Sequence, residues 1–252
     1  MIAWREKFRA VLLHFLVTLA MAVAAAALIF VVWYPDPFQA MLGGTRFFVL
    51  ITVCDLVLGP LTSLIIYNSK KTRRALIFDY TVVGIVQVAA FVYGVMSISN
   101  ARPAYIAFVK DRFEVVIAED LADKDLQDAR APYRTRPKWG PILIGTQRPT
   151  DREELNNLIF AAMEGKDLQN FPRYFVPYEQ VAAAVKEIGK PMAALYKRHP
   201  EARRLIEDEN IKAPDEQLRW LPIRGTRSFW TVLLDADTGE LLGYIPVDPY
   251  ET

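Results

Sequence analysis

Residues 46–74 read RFFVLITVCDLVLGPLTSLIIYNSKKTRR, and this stretch decides the fold class of the chain. Its apolar part, residues 47–67, is long enough to cross a bilayer, which takes about 20 apolar residues. It carries one acid, Asp55, near its middle, then a Gly59-Pro60 pair that predicts a break in the helix, and ends in a dense basic loop. The stretch therefore predicts a membrane span that does more than anchor the protein.

Two further segments of the N-terminal part are equally apolar, residues 10–34 and 76–99. The whole-chain values, 52% hydrophobic residues and a net charge of +1, hide them because the rest of the chain is rich in charge and proline. Residues 10–34 follow a basic head, as a secretion signal does, but the apolar core of a signal has only about 7–15 residues. We therefore interpret this segment as an uncleaved anchor and predict three spans within residues 1–100.

The distribution of basic residues predicts the orientation of these spans. Cytoplasmic loops carry an excess of Lys and Arg, and the loop between the first two segments has only one, Arg46. The others near the spans precede the first segment or lie between the second and third: Arg5, Lys7, Arg9, Lys70, Lys71, Arg73 and Arg74. We expect a multi-pass membrane protein with its N-terminus in the cytoplasm and residues 101–252 outside, in the periplasm if the cell is Gram-negative.

Residues 101–252 have the pattern of an α+β domain. Short runs of aromatic and β-branched residues predict strands, and the DADTG turn between the last two predicts a C-terminal β-hairpin. The predicted strands are 105–109, 112–118, 141–146, 218–223, 229–234 and 240–247. The first predicted helix follows a capping box at residues 150–153 and ends near residue 164. The other predicted helices cover residues 178–188, 191–198 and 200–209. We expect an antiparallel sheet with helices on one face.

A search for catalytic or metal-binding residues finds little. The histidines, His14 and His199, belong to no cluster with metal-ligand spacing, and Cys54 lies inside a span without a plausible base. We expect no enzyme and no cofactor. The loop 130–139, RAPYRTRPKW, is either a solvated loop or a contact for lipid headgroups or an acidic partner surface. Nucleic acid is a poor partner for a segment outside the membrane.

Asp55 has two interpretations. An Asp at the bilayer centre costs roughly 2.5–3.5 kcal/mol on insertion scales, so its side chain should face protein rather than lipid. It either locks this chain's own spans, through a hydrogen bond to Gln87 or, when protonated, within its own helix, or it receives a polar group from the helix of a partner. In the second case Gly59 and Pro60 would leave the nearby backbone less covered.

The chain resembles the TfpX/TfpZ family of type IV pilin accessory proteins, most clearly over residues 1–115. Five short strings carry the resemblance: WYPDPF at 33–38, CDLVLGPL at 54–61, YNSKK at 67–71, ARPAY at 101–105 and DRF at 111–113. The resemblance implies a non-enzymatic inner-membrane protein that helps the major type IV pilin reach or keep an assembly-competent state. It supplies no catalytic residue.

These observations lead to the hypothesis of a pilin chaperone whose spans contact the pilin's transmembrane helix and whose periplasmic domain contacts the pilin head. The residues that we expect at these contacts are Asp55, Gly59, Pro60, Gln87, Arg102, Tyr105, Arg134 and Trp139. The rival hypothesis is a membrane-anchored periplasmic sensor or signalling subunit. It is disfavoured because the cytoplasmic segments are too short to form an output domain.

Overall fold

A computed structural model describes residues 2–68, 71–226 and 228–251, apart from the side chains of Ile2, Ala3 and Phe47. The chain forms two compact units. The first, Met1–Gln39 with Gly43–Ala101, is called the helical unit below; the second, Ala40–Leu42 with Arg102–Thr252, is called the sheet unit. Lys70, part of the predicted basic loop, lies outside the described residues.

Three long helices dominate the helical unit. Helix α1, Ile2–Ala27, continues into a π-helical segment, Leu28–Trp33. After the short helix α2, Phe38–Leu42, come α3, Gly44–Ile66, and α4, Arg73–Asn100. The segments Trp4–Trp33, Gly44–Ile66 and Arg73–Asn100 are long and apolar enough to cross a membrane, which confirms the three predicted apolar helices.

The predicted break at the Gly59-Pro60 pair is wrong, because α3 runs through Pro60 without interruption. Proline removes one backbone N–H and crowds the carbonyl four residues earlier, but apolar helices that are packed against neighbours tolerate it. The Thr62 hydroxyl donates a hydrogen bond of 2.7 Å to the Gly59 carbonyl oxygen, beside the proline. Helix α3 therefore presents one continuous surface on both sides of Asp55.

The sheet unit contains an eight-stranded mixed sheet in the order β4-β3-β1-β2-β6-β7-β8, with β5 paired to β6. The strands are β1 Pro103–Val109, β2 Arg112–Ile117, β3 Ile142–Thr146, β4 Phe175–Pro177, β5 Lys190–Pro191, β6 Leu218–Arg224, β7 Phe229–Asp235 and β8 Leu241–Ile245. The prediction of a purely antiparallel sheet is wrong, because β1 pairs with β3, and β2 with β6, in parallel. Long connections separate both pairs along the chain, and parallel neighbours require such crossovers.

Five α-helices connect these strands within the described residues; four lie close to the predicted positions, and α5 is not among the predicted helices. They are α5 Asp123–Gln127, α6 Arg152–Met163, α7 Ala182–Ile188, α8 Met192–Tyr196 and α9 Ala202–Asp208. The N-cap of α6 is Asp151 rather than Thr150, since the Asp151 carboxylate accepts from the backbone N–H groups of Glu153 and Glu154. The helix predicted from residue 178 begins at Ala182, after a 3-10 turn.

The centre of the sheet is covered on both faces, so the prediction of one covered face is wrong there. Every residue of β1 is buried, although successive side chains of a strand point to opposite faces. On one face the Tyr105 ring packs against Tyr133 and Phe175. On the other, the Phe113 ring packs against Tyr178, which the 3-10 turn supplies. This burial makes β1 the rigid centre of the unit.

Candidate functional site

Three polar side chains join the three long helices of the helical unit. His14 of α1 lies with its Nδ1 atom 2.5 Å from the Ser63 Oγ atom of α3 and its Nε2 atom 2.8 Å from the Gln87 Oε1 atom of α4. An amide oxygen only accepts, so Nε2 donates to Gln87. The three groups satisfy one another's hydrogen bonds between apolar helices, and these bonds hold the helices together. We call His14, Ser63 and Gln87 the polar cluster.

Gly59 allows the helices to approach at the polar cluster. A Cβ atom at this position would lie 3.1 Å from the His14 Nε2 atom and 3.2 Å from the Gln87 Nε2 atom. Both side chains are fixed by their mutual hydrogen bond and have little room to withdraw. Gly59, which we expected at a partner contact, is thus placed inside this chain's own helix packing.

A cavity of about 150 Å³ lies beside the polar cluster, between the same three helices. Its walls are mostly apolar, with Met21 and Phe91 among them, and its polar lining includes Asp55, Gln87 and Thr18. Gln87 is bonded to the imidazole ring, and the Thr18 hydroxyl donates to the His14 carbonyl oxygen at 2.9 Å. Asp55, by contrast, has neither a hydrogen bond nor an ion pair with any residue that the structure describes.

The predicted hydrogen bond between Asp55 and Gln87 is therefore wrong. Both residues line one cavity, but the Gln87 amide oxygen is bonded to His14. A protonated Asp55 that donates within its own helix stays a prediction. Asp55 is the middle residue of the 23-residue helix α3, with residues 44–54 before it and 56–66 after it. A carboxylate without a partner thus lies at the centre of an apolar helix.

In the sheet unit, the residues expected at a partner contact divide into buried and exposed groups. Tyr105 is only 2% exposed, so it does not offer a contact surface, and burial raises its pKa to about 12. The Arg102 guanidinium donates to the Pro137 carbonyl oxygen at 2.8 Å. Arg134 is exposed and donates through Nε to the Ala129 carbonyl oxygen, and Trp139 is 71% exposed. Only the last two present an accessible side chain.

The basic loop 130–139 is fastened to the sheet unit by Arg136. Its guanidinium donates to the carbonyl oxygens of Ala118 and Leu121, at 2.8 and 2.5 Å, and lies 2.7 Å from an Asp123 carboxylate oxygen. Such charge-assisted bonds are stronger than neutral ones. Part of the positive charge that the sequence places in this loop therefore serves the fold, while Trp139 extends from it.

Helix α6 carries an exposed apolar face that the prediction of this helix did not include. Ile159, Phe160 and Met163 are 55%, 67% and 80% exposed, whereas Leu158 of the same helix is buried. The signal was present in the sequence: at 100° per residue the apolar side chains of α6 cover an arc of roughly 200°, twice the stripe that a surface helix buries. The surplus arc is left in contact with solvent.

Comparisons with known proteins relate the chain to one family. The family described as Fimbrial assembly protein FimB matches residues 2–43. The Fimbrial assembly protein of serogroup I from Dichelobacter nodosus is 29% identical over 245 residues, which cover 95% of this chain and 94% of that protein. The protein of serogroups C1 and C2 from the same organism is 36% identical over 117 residues, 46% of this chain and 89% of that protein. No solved structure matches the chain.

Proposed function

The chain belongs to the fimbrial assembly protein FimB family, and from this premise we propose that it is a non-enzymatic accessory protein that binds the major type IV pilin in the inner membrane. By that binding it promotes the stability of the pilin or its assembly into pili. The relatives are named fimbrial assembly proteins, which supports a role in pilus assembly. The identity of the client and the mode of action are the parts that we add.

The proposed topology places the three long helices across the inner membrane, with the N-terminus in the cytoplasm. Their length and apolar character support this placement. The basic residues before α1 and around the connection from α3 to α4 support the orientation, by the positive-inside rule. The sheet unit is then periplasmic, on the side of the membrane where a pilin carries its globular head.

The observation that carries the proposal is the unpartnered Asp55 carboxylate beside the cavity. Acids within membrane spans are costly and usually face a protein partner or a water-filled path. Two polar neighbours in the cavity wall, His14 and Gln87, are bonded to each other instead. A client helix that brings a hydrogen-bond donor to Asp55 would offset the cost of the carboxylate, and the apolar cavity walls would contact the rest of that helix.

For the periplasmic contact we propose two exposed apolar surfaces of the sheet unit. One is Trp139, at the end of the loop that Arg136 fastens. The other is the α6 face formed by Ile159, Phe160 and Met163. Large exposed apolar groups of this kind mark interaction sites on soluble domains. The pilin head is the proposed occupant, and lipid headgroups are the alternative neighbour of Trp139.

A periplasmic sensor remains the rival function, and transcript measurements separate the two. Deletion of a sensor should change transcript levels, whereas deletion of an accessory protein should change pilin stability or pilus number at constant transcript. The connection between α3 and α4, which the proposed topology places in the cytoplasm, is too short to form an output domain, and this speaks against a sensor.

The test of the proposal compares Asp55→Asn with Val57→Ala, a control at an exposed position of the same helix. Asparagine keeps the shape of the side chain and removes its charge. We expect Asp55→Asn to lower the number of pili seen by electron microscopy, with the variant present in the membrane at the level of the control and pilin transcript unchanged. Normal piliation together with normal co-purification of pilin would refute the role of Asp55.

A further inference from the structure

The sheet unit contains a cleft that the proposed function does not use. It has a volume of about 390 Å³ and is lined by the residues after β3, by β4 with the residue before it, and by the start of α6. Three arginines line it, Arg130, Arg148 and Arg173, and none of them forms an ion pair with a described residue. The carboxylates of Asp128 and Glu154 also line the cleft, so its five charged side chains sum to +1.

A buried tyrosine, Tyr174, lines this cleft beside one of the arginines. Tyr174 is only 7% exposed, and its hydroxyl oxygen is buried without a hydrogen-bond partner among the described residues. Burial raises the pKa of Tyr174, so the hydroxyl keeps its proton at neutral pH. The Arg173 guanidinium stacks at 4.9 Å from the Tyr174 ring centroid and 5.6 Å from that of Phe171, which restricts its freedom.

We propose that this cleft binds a carboxylate group, presented by an acidic residue in a peptide segment of a protein partner. Guanidinium groups bind carboxylates with two parallel hydrogen bonds, and Arg148 and Arg173 supply that fork from the cleft wall. The site is independent of Asp55 and of the helical unit.

The charges in the cleft favour a carboxylate over a phosphate. A phosphate dianion would be repelled by Asp128 and Glu154, because like charges in a confined site are destabilising. A singly charged carboxylate needs only one guanidinium fork and leaves the two acids free to accept from basic or amide groups beside it. A peptide segment offers both kinds of group, and the cleft is large enough for a few side chains.

The test measures binding of a short fluorescent peptide with one central glutamate to the purified full-length protein, by fluorescence anisotropy. A twin peptide with glutamine in place of the glutamate is the ligand control. Acetate and inorganic phosphate, at equal ionic strength, serve as competitors. The protein variants are Arg148→Gln, Arg173→Gln and Tyr174→Phe, with Arg204→Gln as a matched control because that arginine is exposed and does not line the cleft. Thermal unfolding verifies that each variant is folded.

We expect saturable binding of the glutamate peptide in the millimolar range or tighter, and at least tenfold weaker binding of the glutamine twin. Arg148→Gln and Arg173→Gln should each weaken binding about tenfold, since hydrogen bonds to charged groups are the strong ones. Tyr174→Phe removes a hydroxyl that is buried rather than exposed to the cleft, so this variant and Arg204→Gln should both leave binding unchanged. The proposal is overturned by equal binding of the two peptides, by wild-type affinity in both arginine variants, or by phosphate competing better than acetate. Acetate binding as tightly as the peptide would overturn the assignment to a peptide.

Discussion

Replacing Asp55 by leucine should stabilise the helical unit while impairing pilus assembly. On insertion scales an Asp at a helix centre costs about 2.5–3.5 kcal/mol and a Leu gains about 0.3–0.6 kcal/mol. Asp55 is the middle residue of α3 and has no described partner whose loss would offset this difference. Because the side chain lines a cavity that can admit water, the full difference of about 2.8–4.1 kcal/mol is an upper limit to the gain. An internal partner would subtract about 0.6–1.7 kcal/mol, the cost of losing one intramembrane hydrogen bond, and would reverse the sign only where hydration of Asp55 has reduced the gain below that value.

The assay is reversible unfolding of the purified protein in mixed micelles, with pili counted in cells that carry the same variants. Gln87→Leu is the matched control, because it removes a bond that the structure shows and leaves the Nε2 donor of His14 unpaired. We expect Gln87→Leu to lower the free energy of unfolding by about 1 kcal/mol and Asp55→Leu to raise or preserve it. If Asp55→Leu destabilises the protein as Gln87→Leu does, Asp55 is a structural residue and the reasoning fails.

Three further predictions follow from the contacts. Gly59→Leu should separate the helices at the polar cluster and lower the free energy of unfolding in micelles by about 1 kcal/mol or more. An unchanged unfolding midpoint would contradict the close approach of the helices at this glycine. Arg136→Gln should lower the free energy of unfolding by about 2 kcal/mol and Arg134→Gln by about 1 kcal/mol. The reason is that Arg136 makes two carbonyl bonds and an ion pair, whereas Arg134 makes one carbonyl bond; thermal unfolding of both variants measures the difference. Burial raises the pKa values of Tyr105 and Tyr178 to about 12, from about 10. The neutral phenols thus add stability below about pH 10 that is lost as the pH rises toward 12. Circular dichroism should record unfolding in that range, with a smaller loss of stability in Tyr105→Phe. An alkaline transition that Tyr105→Phe leaves unaltered would contradict the assignment of this loss to the buried phenol.

The helices could be predicted from the sequence because length and apolar composition alone specify them. Residues 10–34, 47–67 and 76–99 are all within the observed helices or next to their ends. The bonds between the helices could not be predicted, because they depend on how each helix is rotated about its axis. Asp55 and Gln87 line one cavity, as the prediction of a bond between them requires, yet the rotation of α4 about its axis directs Gln87 to His14.

The sheet shows the same division between local and long-range information. Six of the strands and the C-terminal hairpin follow from alternation and turn residues, which act over a few positions. The short strands β4 and β5 were not predicted. The parallel pairing of β1 with β3 and of β2 with β6 joins segments that are far apart in the chain, and no local pattern specifies it. Tyr105 illustrates the consequence for the site: a residue that the sequence places just after a span lies in the core once β3 has paired beside it.

The proposed contact at the cavity can be tested by photo-crosslinking in native membranes. A photoreactive residue at Thr52, which lines the cavity with Asp55, reports what occupies the site while the carboxylate stays in place. The comparison is the same probe combined with Asp55→Asn, and a probe at Val57, an exposed position of α3, serves as the control. We predict an adduct with the major pilin from Thr52 that is lost in Asp55→Asn and absent from Val57. Adducts from Thr52 that join only this chain's own helices, or a pilin adduct that Asp55→Asn leaves unchanged, would contradict the proposal.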